Sequence, residues 1–146
     1  EIASCLVGSE MCIRDRSKII SDASAVIYQF PFYWMSAPSL LKKWQDEVFT
    51  FLSKTPAVAG KPLTVVTTTG SEYEAYRSGG RNRFTTDELL RPYQVSAIHS
   101  GMSWQTPIVV YGMGTADAGK NIAEGANLYK QRVEMLIGSS NAGNNW

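Results

Sequence analysis

Cysteine is nearly missing from this chain of 146 residues: only Cys5 and Cys12 occur, and from Ile13 onward there is none. That removes disulfides and thiolate metal sites from the bulk of the chain. Histidine is reduced to His99, and no Ser, Cys or carboxylate motif pairs with it, so no metal cluster and no nucleophile–base pair is expected. A packing or surface role suits it better. No apolar run approaches the ~20 residues that a spanning helix needs, and Glu1 to Leu6 lacks the charged and apolar regions of a secretory signal. Excess charge is absent too: 14 basic against 13 acidic residues leave +1, which gives no electrostatic reason to expect nucleic acid or a membrane surface as partner. A single cytoplasmic domain with one core is the expectation. What the chain has in plenty is aromatic side chains. Four Trp, seven Tyr and five Phe exceed a minimal core and serve either as core filling or as a stacking surface or interface.

Leu6 to Arg16, LVGSEMCIRDR, shows no helix or strand period and no caps. It resembles the translation of a transposon-based sequencing adapter, so residues 1–16 are set aside as non-native. Both cysteines lie in or beside that segment. The domain is expected over residues 17–137, followed by a polar tail over 138–146 with no reason to be ordered.

The organising stretch runs from Asp22 to Phe51. Ala25 to Phe30 is a short apolar, β-branched run that predicts a buried parallel strand. The aromatic turn Pro31-Phe32-Tyr33-Trp34 follows, and then a helix, with Ser36 as cap, Pro38 in the first turn, and Ala37, Leu40, Leu41, Trp44, Val48 and Leu52 at helical spacing. In an open α/β sheet, ligands bind in the loops at the carboxyl ends of strands, and this loop suits a planar ligand.

Ser53 to Pro62 reads as a loop, and Leu63 to Thr67 as the next buried strand, running into Thr67-Thr68-Thr69-Gly70. Small residues there let backbone N–H groups approach a ligand. Ser78 to Arg83 is a glycine-rich basic loop, either a lid drawing phosphates through Arg77, Arg81 or Arg83 or a solvated turn. Thr85 and Glu88 form a capping box, and Leu89, Leu90, Tyr93 and Ala97 mark a helix that Pro92 should kink. Pro107 to Tyr111 predicts the last strand. Ile122, Ala126, Tyr129, Val133 and Leu136 lay out a closing amphipathic helix.

Pro31, Trp34, Pro38, Leu41, Lys42, Trp44, Asp46, Val48 and Phe49 together resemble the second half of the flavodoxin-like NAD(P)H:quinone oxidoreductases, a family that includes ancillary flavoproteins of potassium efflux systems. The resemblance continues through TTTG, RPY and Gly101-Met102, over about Ser21 to Ile137.

It implies an α/β, three-layer parallel sheet of five strands in the order 2-1-3-4-5 with a phosphate loop after the first. Counted on that plan, the strand at Ala25 is the third, so the first two strands and the phosphate loop are expected to be missing. The resemblance also implies a flavin, FMN or FAD, stacked on Pro31, Phe32, Tyr33, Trp34 and Met35, its N1/O2 edge held by Thr68, Thr69, Gly70 and Ser71. Ser71 stands where the family turn has a second glycine. Tyr76 would be the assisting tyrosine, with Tyr73 as competitor. NAD(P)H would pass hydride through flavin N5 to a quinone in ping-pong fashion, in a homodimer. Two other readings stay open: a regulatory flavoprotein subunit docking on a potassium antiporter, or an inactive fragment whose strand at Ala25 is an exposed edge.

Overall fold

The computed structural model describes residues 18–142; the adapter-like segment, both cysteines and residues 143–146 lie outside that range. Residues 18–22 are helical. β1 (Val26–Pro31) leads into α1 (Ser39–Trp44), a π-helical turn (Gln45–Phe49) and α2 (Thr50–Leu52), which run on as one rod. After β2 (Pro62–Thr68) come a 3-10 turn (Tyr73–Tyr76), α3 (Thr86–Leu89), α4 (Arg91–His99), β3 (Ser103–Trp104), β4 (Ile108–Val110) and α5 (Ala118–Ala142).

The sheet is parallel throughout. β1 pairs with β2 from Val26↔Leu63 to Pro31↔Thr68. β3 and β4 share the other side of β2, against Pro62–Leu63 and Val66–Thr68 respectively. The predicted strand at Pro107 to Tyr111 is β4, and β3 is an additional short piece in the same lane; Pro107, with no N–H to give a ladder, falls between them. The three lanes follow in sequence order, the α/β sheet of a flavodoxin-like fold.

Side-chain alternation divides the two faces. Tyr28, Phe30, Leu63 and Val65 point to one side, where Val48, Phe49 and Leu52 of the first rod and Leu90, Tyr93 and Ala97 bury against them. Fully burying a side chain such as Leu52, Leu63 or Val65 contributes roughly 1.5–3 kcal/mol. On the opposite face α5 covers β4, and Gly125 meets Val110 so closely that a Cβ there would lie 2.3 Å from Val110 Cγ2. That cover does not extend over β1, where Gln29 and Pro31 are exposed.

Several expectations change. Ser36 does not cap the first helix: Pro38 is the N-cap, no side chain caps it, and the Ser36 hydroxyl pairs with the Tyr93 phenol instead. The loop over residues 53–62 is more than a connection, because Val58 within it is wholly buried. Pro92 does more than kink its helix. The capping box of Thr85 and Glu88 starts α3, the chain breaks at Leu90, and Pro92 sits in the first turn of a fresh helix, where its missing N–H is harmless. α4 ends in a Schellman motif: Gly101, at φ +70°, donates to Ile98 O, and the buried Met102 donates to Ala97 O. α5 continues past Ile137 to Ala142, so residues 138–142 of the expected tail are helical.

Lys61 is a strut that periodicity does not reveal. Its ammonium donates to the carbonyls of Ile20, Ser21 and Ala23 at 2.6, 2.5 and 2.8 Å, closing the carboxyl end of the helix at residues 18–22 and tying it to the start of β2.

Candidate functional site

β1 and β2 are parallel neighbours, so the loops that follow them leave the same edge of the sheet. They are joined at the root. Phe32 N–H donates to Thr68 O at 2.9 Å, and the Phe32 ring stands edge-on to Tyr76 at 6.1 Å.

The first loop is a strained aromatic turn. Tyr33 and Ser36 exchange N–H···O bonds of 2.9 Å, forcing Trp34 and Met35 to φ of 47° and 61°. Left-handed backbone costs a non-glycine residue roughly 1–2 kcal/mol. Tyr93 holds the turn in place from the core, accepting from Ala37 N–H at 3.0 Å and pairing with Ser36 Oγ at 3.1 Å. Among the described residues nothing covers it: Trp34 is 98% exposed, and Tyr33 and Met35 are exposed as well. Strain combined with open apolar rings marks a surface built to meet something.

The second loop is the chemical opposite. Every carbonyl from Thr68 to Ser71 is occupied: Thr68 by Phe32, Thr69 by Met113, Gly70 by Gly114, and Ser71 by both Gly112 N–H and its neighbour Thr69 Oγ1. Thr69 is buried, and its N–H is held by Val110 O. The N–H groups of Gly70 and Ser71 take no partner among the described residues. The turn therefore offers two unpartnered donors while each of its carbonyls is already engaged, which suits the acceptor-rich edge of a ligand. Of the predicted residues, Thr69 faces inward and supports the turn, while Gly70 and Ser71 present it.

Tyr76 is buried behind Phe32 and Tyr111, whereas Tyr73 is half exposed beneath the Arg77 guanidinium, 5.3 Å from its ring centre. Burial pushes the Tyr111 phenol up, and its 2.6 Å bond with Thr86 draws it partly back. Arg81 does not reach outward for phosphates but donates to Ser71 Oγ at 2.6 Å. His99 is exposed at the end of α4, remote from both loops in the fold. A cavity of about 750 Å³ lies beyond Tyr76, between Thr86, Tyr111 and the Leu128 to Met135 stretch of α5. Neither Trp34 nor Thr69 lines it. The two loops thus share a sheet edge and a ring contact.

Sequence reasoning missed the third partner, Gly112-Met113-Gly114 after β4. Its three N–H groups occupy the carbonyls of Ser71, Thr69 and Gly70. A Cβ on Gly114 would sit 3.0 Å from Gly70 O, and Gly112 lies at φ +75°. Gly-x-Gly at the carboxyl end of a strand was the available signal. The unpartnered N–H groups of Gly70 and Ser71 and the open rings of the aromatic turn have the chemistry that an acceptor-edged planar heterocycle such as FMN or FAD requires.

A family model described as "Flavodoxin-like fold" matches residues 10–133. The uncharacterized NAD(P)H oxidoreductase YdeQ of Bacillus subtilis is 38% identical over 115 residues, 76% of this chain and 58% of that protein. The glutathione-regulated potassium-efflux system ancillary protein KefG of Serratia proteamaculans is 38% identical over 103 residues, 68% of this chain and 56% of that protein. The chain therefore spans little more than half the length of these two relatives. The crystal structure of general stress protein 14 from Treponema denticola in complex with FMN superposes with a TM-score of 0.76 at 26% identity, covering 85% of this chain and 72% of that one. By the extent of the family match and the parallel sheet that carries it, the chain belongs to the flavodoxin-like fold family.

Proposed function

We propose that the protein carrying this chain is a flavoprotein oxidoreductase that reduces quinones with NAD(P)H. The observation that carries the reading is the pairing, at one sheet edge, of a turn at Thr68 to Ser71 that presents unpartnered N–H donors with an open aromatic turn at Phe32 to Met35. Relatives named NAD(P)H oxidoreductase and a neighbour solved with FMN support it. A bound flavin would supply two-electron chemistry, taking hydride from NAD(P)H and giving it to the quinone. The protein's own part is orientation and electrostatics. Gly70 and Ser71 N–H groups would meet the pyrimidine edge and favour negative charge developing there. Phe32, Tyr33 and Trp34 would supply stacking area, and Thr69 would keep the turn in shape. Tyr76 would back the same edge through its hydroxyl.

FMN fluorescence quenching on the purified chain tests the reading. A dissociation constant in the range of about 1 µM to 1 mM, weakened in Trp34→Ala and accompanied by quinone-dependent NAD(P)H oxidation, is expected. Absence of FMN binding at 1 mM, a concentration corresponding to about −4 kcal/mol, overturns it for this chain. The KefG relative favours a second reading, a regulatory subunit of a potassium antiporter. Co-purification with such a transporter, without quinone turnover, would support that alternative.

A further inference from the structure

We propose that Arg81 is a positioning residue that locks the Ser71 turn with its donors facing outward; the idea rests on the flavin reading above for the identity of the ligand. Ser71 is held at three points. Its carbonyl accepts from Gly112 N–H and Thr69 Oγ1, both at 2.8 Å, and its hydroxyl accepts from Arg81 Nη2 at 2.6 Å. Only its N–H is left without a partner among the described residues. The same Arg81 nitrogen lies 3.6 Å from a Glu72 carboxylate oxygen, so the guanidinium spans two consecutive residues of the turn.

The loop that presents Arg81 is firmly seated. Gly80 packs onto backbone so tightly that a Cβ would lie 2.2 Å from Glu74 O and 2.7 Å from Ala75 O, while Asn82 N–H donates to Ala75 O at 3.0 Å. Serine at position 71 makes the bridge possible, because a residue without a hydroxyl would leave Arg81 only the Glu72 carboxylate to hold. The bridge also braces a turn whose carbonyls are already engaged and whose two unpartnered N–H groups suit a ligand with an acceptor-rich edge.

Residue-resolved amide hydrogen exchange on the purified chain tests this, with Arg81→Gln, Arg81→Lys and Arg83→Gln compared with wild type. The reporters are the amides of Gly112 and Gly114, which donate to the carbonyls of Ser71 and Gly70 and open when the turn shifts. In Arg81→Gln their exchange is expected to rise about tenfold, the scale of one lost charge-assisted bond. The thermal midpoint should stay put, since the side chain is 61% exposed. Arg81→Lys should recover part of the protection and Arg83→Gln should match wild type. FMN affinity should fall in Arg81→Gln by a similar factor. Unchanged exchange at Gly112 and Gly114, or an equal rise across the whole sheet, overturns the proposal. Faster exchange confined to those two amides, with FMN bound by neither form, upholds the lock and overturns the flavin reading instead.

Discussion

The turns after β1 and β2 leave adjacent strands at the same edge yet are built on opposite principles. The aromatic turn is exposed, apolar and strained, resting on one tyrosine hydroxyl beneath it. The threonine turn is polar and stitched through its carbonyls to the loop after β4 and through a serine hydroxyl to Arg81. One supplies area and the other supplies direction. A stacking surface tolerates loose placement because dispersion and burial are non-directional. Hydrogen-bond donors do not, because their strength falls steeply with angle.

The contrast is open to attack from both sides. Gly80→Ala should have the largest effect, because a methyl group there meets backbone rather than a movable side chain. About 2 kcal/mol of destabilisation in urea unfolding is expected, with the Gly112 and Gly114 amides losing protection as the Arg81 loop lifts. Loss of aromatic-turn protection alone would contradict the division. Tyr93→Phe attacks the other side. It removes the hydroxyl from both Ala37 N–H and Ser36 Oγ and should cost about 1 kcal/mol. Its exchange signature should fall on Tyr33 to Ala37 and spare Gly112 and Gly114. Alkali should act most gently, and on the second side. A phenol whose folded value is raised contributes stability that is complete below its unfolded value and declines as pH climbs through the folded one. Tyr111 is such a group, raised chiefly by burial, so the ordering of Tyr73 and Tyr76 around it should weaken above about pH 10. Tyr111→Phe should flatten that alkaline limb, and an unchanged profile would detach Tyr111 from the site.

Much of the frame is readable in one dimension because burial imposes a period. The runs at Ala25 and Leu63 are β1 and β2, and the capping box at Thr85 starts a helix as its spacing requires. What escapes are features without a period. A parallel strand is indifferent to a break if its neighbour stays continuous, so the two-residue piece β3 ahead of Pro107 has no period to read. Ser36 has the composition of a cap, and only the three-dimensional approach of Tyr93 diverts it. Thr69 has the composition of a ligand contact, but Val110 and Ser71, reached through the fold or the turn, claim both its donors. The Arg81 bridge joins residues ten apart through a loop, which no helical or strand spacing encodes.

The contact between Gly125 and Val110 has a reach beyond two residues. With no side chain between helix and strand, the backbone of α5 can rest there in one rotation only. Counting turns onward from that pivot, Leu128, Arg132 and Leu136 fall on one stripe. Leu128 lines the cavity wall, Arg132 reaches Thr106 O at 2.6 Å, and Leu136 is buried. One missing methyl group thus sets the phase of a 25-residue helix, and Gly125→Ala should be felt three turns away as a change in where that stripe points.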